Sequence, residues 1–309
     1  MKETDNSRRA RRGSGAITLR DVAKLAGVAP ITASRVLNTP EQVSAEVRQK
    51  VLDAVQRTGY VPNRMAGGLA SSRSRLIAAV VPSTVMSVFM PTIEALNDTL
   101  FDAGYQLMLG QSGYSAAREE SLLEAIIGRR PDGIFLTGIL RPGLGRTRLM
   151  ASGIPVVETW DLTPTPIDML VGFSHADIGR EVARAGLAPV SVVNVGASRS
   201  LQSGREGLDR LLAQAPDVDA VFCSSDLLAL GVLTEARVRG IAVAERMAIM
   251  GFGDVPFAAD MAPALSTVHI NGVEIGRLAA RSLIDRAEGR EVAQRVVDVG
   301  FSIVERETS

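Results

Sequence analysis

At 309 residues the chain is long enough for two or three compact units, and its 46% of apolar residues is enough for sizeable cores. Lys+Arg and Asp+Glu both number 34, yet residues 1–75 hold 14 basic and 6 acidic side chains, net +8, and the remainder 20 and 28, net −8. A basic head on an acidic body points to a polyanion partner for the head alone. One cysteine, Cys223, and two histidines, His175 and His269, exclude a disulfide scaffold and a multi-cysteine metal site, so no cofactor is expected. No apolar run approaches the roughly 20 residues that span a bilayer. MKETDNSRRARRGSGA has no apolar stretch of the kind a secretory leader carries, so a cytoplasmic location is expected.

Residues 1–16 are polar, with Arg8, Arg9, Arg11 and Arg12 before Gly13-Ser14-Gly15. They are expected to be a disordered basic arm that adds phosphate attraction. Order begins at Thr18, where Thr18-Leu19-Arg20-Asp21 has the capping-box form. Leu19, Val22, Ala23 and Ala26 then make the apolar stripe of a short helix that Gly27-Val28 breaks. Pro30 suits the first position of a second helix, buried through Ala33, Val36 and Leu37 and ended by Asn38-Thr39-Pro40. A third helix starts at the cap Ser44, buries Val47, Val51 and Val55 and stops at Gly59. Two short helices on a tight glycine turn, backed by a third, make a helix-turn-helix over 17–62. The second helix then offers Ile31, Thr32, Ser34 and Arg35 to the major groove, Arg35 being long enough for a guanine edge.

From Leu76 the pattern changes to buried strands alternating with amphipathic helices. LIAAVV, Tyr105–Leu109, GIFLTG, Ile154–Trp160, VSVVNV, AVFCSSD and MAIMGFG read as strands. Helices are read on the Phe89, Ile93, Leu96, Leu100 stripe, over Glu119–Ile127, around Gly204–Gln214 and up to Arg239. This alternation predicts an α/β class with parallel, doubly wound sheets, whose ligands lie beyond the carboxyl ends of strands. The rule nominates Pro82-Ser83, Trp160-Asp161, Arg199, Ser224-Ser225-Asp226 and Gly253-Asp254. His175-Ala176-Asp177 reads as a helix cap and pocket edge. With no catalytic constellation, phosphate loop or metal cluster, an enzyme is not expected.

ITLRDVAKLAGVAPITASRVLN followed by VSAEVRQKVLDAVQRTGYVPN resembles the DNA-binding headpiece of the LacI/GalR family of bacterial repressors. The resemblance implies that Thr18 and Leu19 meet phosphates and that Pro30, Ile31, Thr32 and Arg35 read the major groove, with Ser34 and Asn38 on the same DNA-facing helix. Pro30-Ile31 sits at the pair of positions that most sets operator choice. Neither side chain donates a hydrogen bond, so apolar contact with a thymine methyl is expected there. Residues 63–75 then resemble the family's hinge helix, implying minor-groove contacts from Asn63, Arg64 and Ala66 and a wedge, Leu69, at a central CG step. Because each glycine of Gly67-Gly68 costs a helix about 1 kcal/mol, that hinge is expected to fold only when two copies pair on DNA.

The body, 76–309, resembles the family's effector-binding and dimerisation domain, a pair of periplasmic-binding-protein-like subdomains. Several segments look most like gluconate-utilisation repressors, among them GYQLMLGQSGYS, RRPDGIFLTG and GIPVVETWDLTPTPIDMLVGFS. By that resemblance Ser83, Phe89, Trp160, Phe173, Arg199 and Ser225 line a sugar pocket, with Asp226, Gly253 and Asp254 beside them. Gly253 stands where many sugar-binding relatives carry an aspartate, which suits a sugar acid; Arg199 would supply the cation. The resemblance implies a homodimeric repressor on a double-stranded palindromic operator, released by gluconate or a phosphorylated relative. One departure is large. After GFSHADIGREVAR the chain runs straight into Ala185-Gly186-Leu187-Ala188-Pro189, skipping about one strand-helix unit of order 30 residues. The second subdomain is therefore expected to be shortened. A regulator with an impaired effector response stays open as an alternative, and a sugar-binding transport protein is the remoter one.

Overall fold

The computed structural model describes residues 17–61, 73–83, 88–183, 191–196 and 200–309. The chain divides into two compact units, one up to Ser72 and one from Arg73. In the first, α1 (Leu19–Ala26), α2 (Pro30–Asn38) and α3 (Ala45–Thr58) surround a core of Val22, Ala23, Ala33, Val36, Val51 and Ala54. Val47 and Val55, expected inside, only flank that core, because Ala54 takes the inward position between them. Thr18 opens α1: its N–H and its hydroxyl both donate to the Asp21 carboxylate, at 2.8 and 2.6 Å. Gly27 closes it at φ +69°, in the left-handed region where a glycine costs least. The basic arm and the hinge segment with Asn63, Arg64, Ala66 and Leu69 lie outside the described residues.

The second unit is built on two sheets. The first has order β2-β1-β3-β4-β5-β9, from β1 (Leu76–Val81), β2 (Gln106–Gln111), β3 (Gly133–Thr137), β4 (Val156–Thr159), β5 (Met169–Gly172) and β9 (Val296–Asp298), all parallel. Both faces are covered, so its inner strands β1 and β5 are apolar without alternation. On β1, Ile77, Ala79 and Val81 face α4 (Met90–Asp102) and α11 (Gly272–Ala287). Ala78 and Val80 face α5 (Ala116–Ile127) and α6 (Leu144–Ser152). The second sheet has order β10-β8-β7-β6, from β6 (Ala220–Phe222), β7 (Ala248–Phe252), β8 (Ser266–His269) and β10 (Ser302–Val304). Here α8 (Leu201–Gln214) and α9 (Asp226–Val238) bury Leu208, Val232 and Leu233 with Ile249. The chain passes to this sheet after α7 (His175–Ala183), returns with α11 and β9 and crosses again at β10.

Two expectations are corrected. The second sheet is not wholly parallel: β10 runs antiparallel to β8. Between β8 and β10 the chain visits the first sheet through α11 and β9, and it re-enters the second only three residues after β9. The described part of VSVVNV, residues 191–195, forms no strand either. Residues 191–196 have no regular structure, and Val192 is 80% exposed. A strand needs a neighbour, and no described strand pairs with this segment. Among the described strands β6 ends the sheet, with Ala220 and Phe222 exposed.

Helix pairs in both halves close to backbone contact through glycine. A Cβ at Gly204 of α8 would lie 2.2 Å from the Leu228 carbonyl oxygen, and one at Gly231 of α9 would lie 2.2 Å from that of Leu201. Backbone cannot swing aside as a side chain can. Gly204→Ala is therefore expected to cost about 1–3 kcal/mol, read as a lower urea midpoint at unchanged slope for the full chain.

Candidate functional site

Each unit carries one candidate. On the headpiece, burying Ala33 and Val36 turns the other face of α2 outward. Pro30, Arg35 and Asn38 are exposed there, and Ile31 is 64% exposed beside them. Thr32 and Ser34 are half-buried beside them. Asn38 donates to the Ser34 carbonyl at 2.9 Å and to its hydroxyl at 3.2 Å, whereas Arg35 bonds no described side chain. Leu19 leans on the core with Thr18 exposed at its start. The Thr18 hydroxyl and amide hold the Asp21 carboxyl below the ordinary aspartate range, with the charge of Lys24 adding to the effect.

The second unit holds a cavity of about 760 Å³, within the range of small-molecule sites. Its walls are the carboxyl ends of β1, β3 and β4 together with those of β6 and β7, so it opens between the two sheets. Trp160, just past β4, is the centre of an aromatic cluster. Phe89 meets it edge-on at 4.8 Å and Phe173 at 5.8 Å, and Phe173 in turn lies 4.8 Å from His175. Trp160 adopts φ +66°, strained for a non-glycine residue. Its N–H donates to the Val171 carbonyl at 3.3 Å, and the His175 Nε2–H donates to its own carbonyl at 3.0 Å. That bond fixes the tautomer, since a carbonyl only accepts. The ring lines the cavity while its Nε1 is buried without a partner among the described residues, as is the Thr137 hydroxyl on the same wall.

Of the nominated residues, Phe89, Trp160, Asp161, Ser224 and Ser225 line the cavity, as does Pro82 beside Ser83. Ser225 also caps α9, its hydroxyl accepting from the Leu228 N–H at 3.3 Å. Phe173 is fully buried behind Trp160. Asp226 is buried in the second sheet, where it accepts from the Thr267 hydroxyl at 2.6 Å and the Val255 N–H at 2.9 Å; burial pushes its carboxyl up. The same burial pushes the Cys223 thiol up to about 12. Gly253, at φ +125°, brings its backbone against Val88 of the wall. Asp254 pairs with Arg306 at 2.7 Å and with His269 at 3.0 Å. Arg199 lies outside the described residues. Sequence reasoning passed over Glu119, Thr137, Arg141 and Arg146, which line the first-sheet side. GIFLTG was read as a strand, and the carboxyl-end rule applied to it would have found Thr137–Arg141.

The lacI-family model for bacterial regulatory proteins matches residues 18–63, and a periplasmic binding protein-like domain matches 174–309. The transcriptional regulator GntR of Pseudomonas aeruginosa is 36% identical and is covered in full, as is this chain. The chain belongs to the lacI family. It is a DNA-binding transcriptional regulator and not an enzyme. A LacI-family regulator from Silicibacter pomeroyi has a similar structure, with TM-score 0.85 and 31% identity over 94% of this chain and 99% of that one. GntR from Chromobacterium violaceum gives 0.69 and 33% over 76% and 99%. The alignment with the Pseudomonas protein runs to 344 positions for a chain of 309 residues, so the relative carries residues with no counterpart here.

Glu119 is half-buried on the cavity wall, and desolvation raises its carboxyl above the ordinary glutamate value, with Arg141 opposing the shift. A folded-state value raised in this way gives stability that is complete below the unfolded value and is lost as pH rises through the folded one. Glu119→Gln should flatten that part of the profile, measured as urea midpoints from acid to neutral pH.

Proposed function

We propose that this regulator is a homodimeric repressor of sugar-acid catabolism genes, held on a palindromic operator and released when a gluconate-type effector enters the cavity. The observation that carries the DNA half is the exposed α2 face, with Ile31 and a side-chain-unbonded Arg35 turned outward on a headpiece of the lacI type. Two-fold protein symmetry would match a palindrome, one headpiece per half-site. Pro30, Ile31, Thr32 and Arg35 read base edges, Thr18, Leu19, Ser34 and Asn38 position the backbone, and Asn63, Arg64, Ala66 and Leu69 enter the minor groove. The likeness to regulators named GntR and the cavity between the sheets support an effector met by Ser83, Phe89, Trp160, Phe173, Arg199 and Ser225, with Asp226, Gly253 and Asp254 behind them. A location in the cytoplasm, with the DNA, belongs to this reading.

The skipped strand-helix unit favours a second reading, a regulator that still binds DNA but answers its effector weakly. Fluorescence anisotropy on a labelled palindrome with a central CG step separates the two. Tight, salt-dependent binding that millimolar gluconate releases supports the full repressor. Binding that gluconate leaves alone while it changes Trp160 fluorescence supports the weakened switch. Absence of binding at low salt on every palindrome from a selected pool would sink both. Arg35→Ala should cost about 1–3 kcal/mol and relax preference at one base pair; an unchanged motif in binding-site selection removes Arg35 from base reading.

A further inference from the structure

We propose that Arg141 is the anion anchor of the cavity: its guanidinium takes the carboxylate or phosphate of a polyhydroxylated acid whose hydroxyls meet Thr137 and Trp160. This rests on the reading of the cavity as the effector site. Among the described residues the cations on the wall are Arg141 and Arg146, with His175 beside them. Arg146 is occupied. It pairs with the fully buried Glu158 at 3.3 Å and donates to the Leu140 carbonyl at 3.1 Å and to that of Thr165. His175 Nε2 is bound to Trp160. Arg141 is exposed and makes no hydrogen bond or ion pair with a described residue, so it stands where the cavity opens with its five donors free.

The register places the hydroxyl partners beside it. Thr137 pairs with Thr159 across β3 and β4, which sets Trp160 next to the loop that carries Arg141 four residues after Thr137. The buried Trp160 Nε1 and Thr137 Oγ1 lack partners among the described residues, and a buried donor without an acceptor is costly until a ligand supplies one. Glu119, Glu120 and Asp161 also line the cavity, so net charge would not draw an anion in; a local guanidinium has to. Asp161 is turned to its own loop, accepting from the Leu162 N–H at 2.8 Å, and burial holds back ionisation of Glu119. All three proposed contacts come from the first-sheet side, so recognition does not need the unit missing from the second.

The chain has one tryptophan, and it lines the cavity, so Trp160 fluorescence of the full-length protein reports occupancy directly. The titrants are gluconate, phosphogluconate and glucitol, which keeps the hydroxyl chain without the acid. The expected result is that at least one acid binds about tenfold or more tighter than glucitol. Arg141→Ala should bring that acid to the affinity of glucitol, Arg141→Lys should keep part of the preference, and Thr137→Val should weaken acid and glucitol alike. Preference for gluconate alone assigns the carboxylate to Arg141, and preference for phosphogluconate alone assigns the phosphate. An undiminished acid preference in Arg141→Ala overturns the anchor and leaves the effector reading standing. A wild-type protein that binds none of the three overturns both.

Discussion

The contact between α4 and α11 holds the regulatory unit together. After β8 leaves the second sheet, α11 returns to cover the first, and it lies on α4 at backbone distance. A Cβ at Gly276 would be 2.2 Å from the Thr92 carbonyl oxygen and 2.9 Å from the Leu96 nitrogen. Only glycine permits that approach. Farther along, Leu283 presses on β3 so closely that a Cβ at Gly133 would stand 2.8 Å from it. The start of the same helix pair frames the cavity. Phe89 precedes α4 and meets the Trp160 ring edge-on, while a Cβ at Gly272, which opens α11, would lie 3.5 Å from the same ring. One close helix crossing thus covers the first sheet, and the first residues of both helices flank the residue at the centre of the site.

The second sheet, four strands wide among the described residues, is tied by polar bonds as well as by its apolar core. Asp226 at the start of α9 ties the helix to Thr267 of β8 and to Val255 beyond β7, packed so tightly that Gly251 has no room for a Cβ. The last residues add a second knot. Thr308, fully buried, accepts from the Ser266 N–H at 2.8 Å and donates to the Ile249 carbonyl at 2.7 Å, and Arg306 reaches Asp254 and the Leu265 carbonyl. A buried carboxylate is expensive unless every lone pair finds a donor. Thr267 and Val255 meet that need for Asp226, and Arg306 and His269 partner the half-buried Asp254.

These polar knots mark the limit of what the sequence revealed. The headpiece was legible because its signals are local: Thr18 and Asp21 are three residues apart, and Gly27 ends the helix they begin. The first sheet was legible because uninterrupted apolar runs such as LIAAVV admit few other readings. By contrast α11 was passed over, since its inner face is partly Gly272, Gly276, Ala279 and Ala280, residues too small to register as an apolar stripe. The partners of Asp226 and Asp254 lie 41 and 52 residues away, at Thr267 and Arg306, where no spacing rule reaches. VSVVNV shows the converse failure: strand propensity is real, but pairing needs a neighbour, and propensity yields when none is present.

The distribution of groups around the cavity bears on how a ligand would be felt by the rest of the protein. A ligand moves an equilibrium between arrangements of the two sheets only by the difference in its affinity for them. Charge and unpartnered donors are concentrated on the first sheet, at Arg141, Thr137 and Trp160. The second sheet offers Phe222, Ser224, Ser225 and Phe252, and the Ser225 hydroxyl already accepts from α9. Contacts confined to one sheet are the same in every arrangement, so they add affinity and nothing to the switch. Among the described residues, the second sheet's share of such a difference would come from two aromatic rings and two hydroxyls at the rim of the cavity.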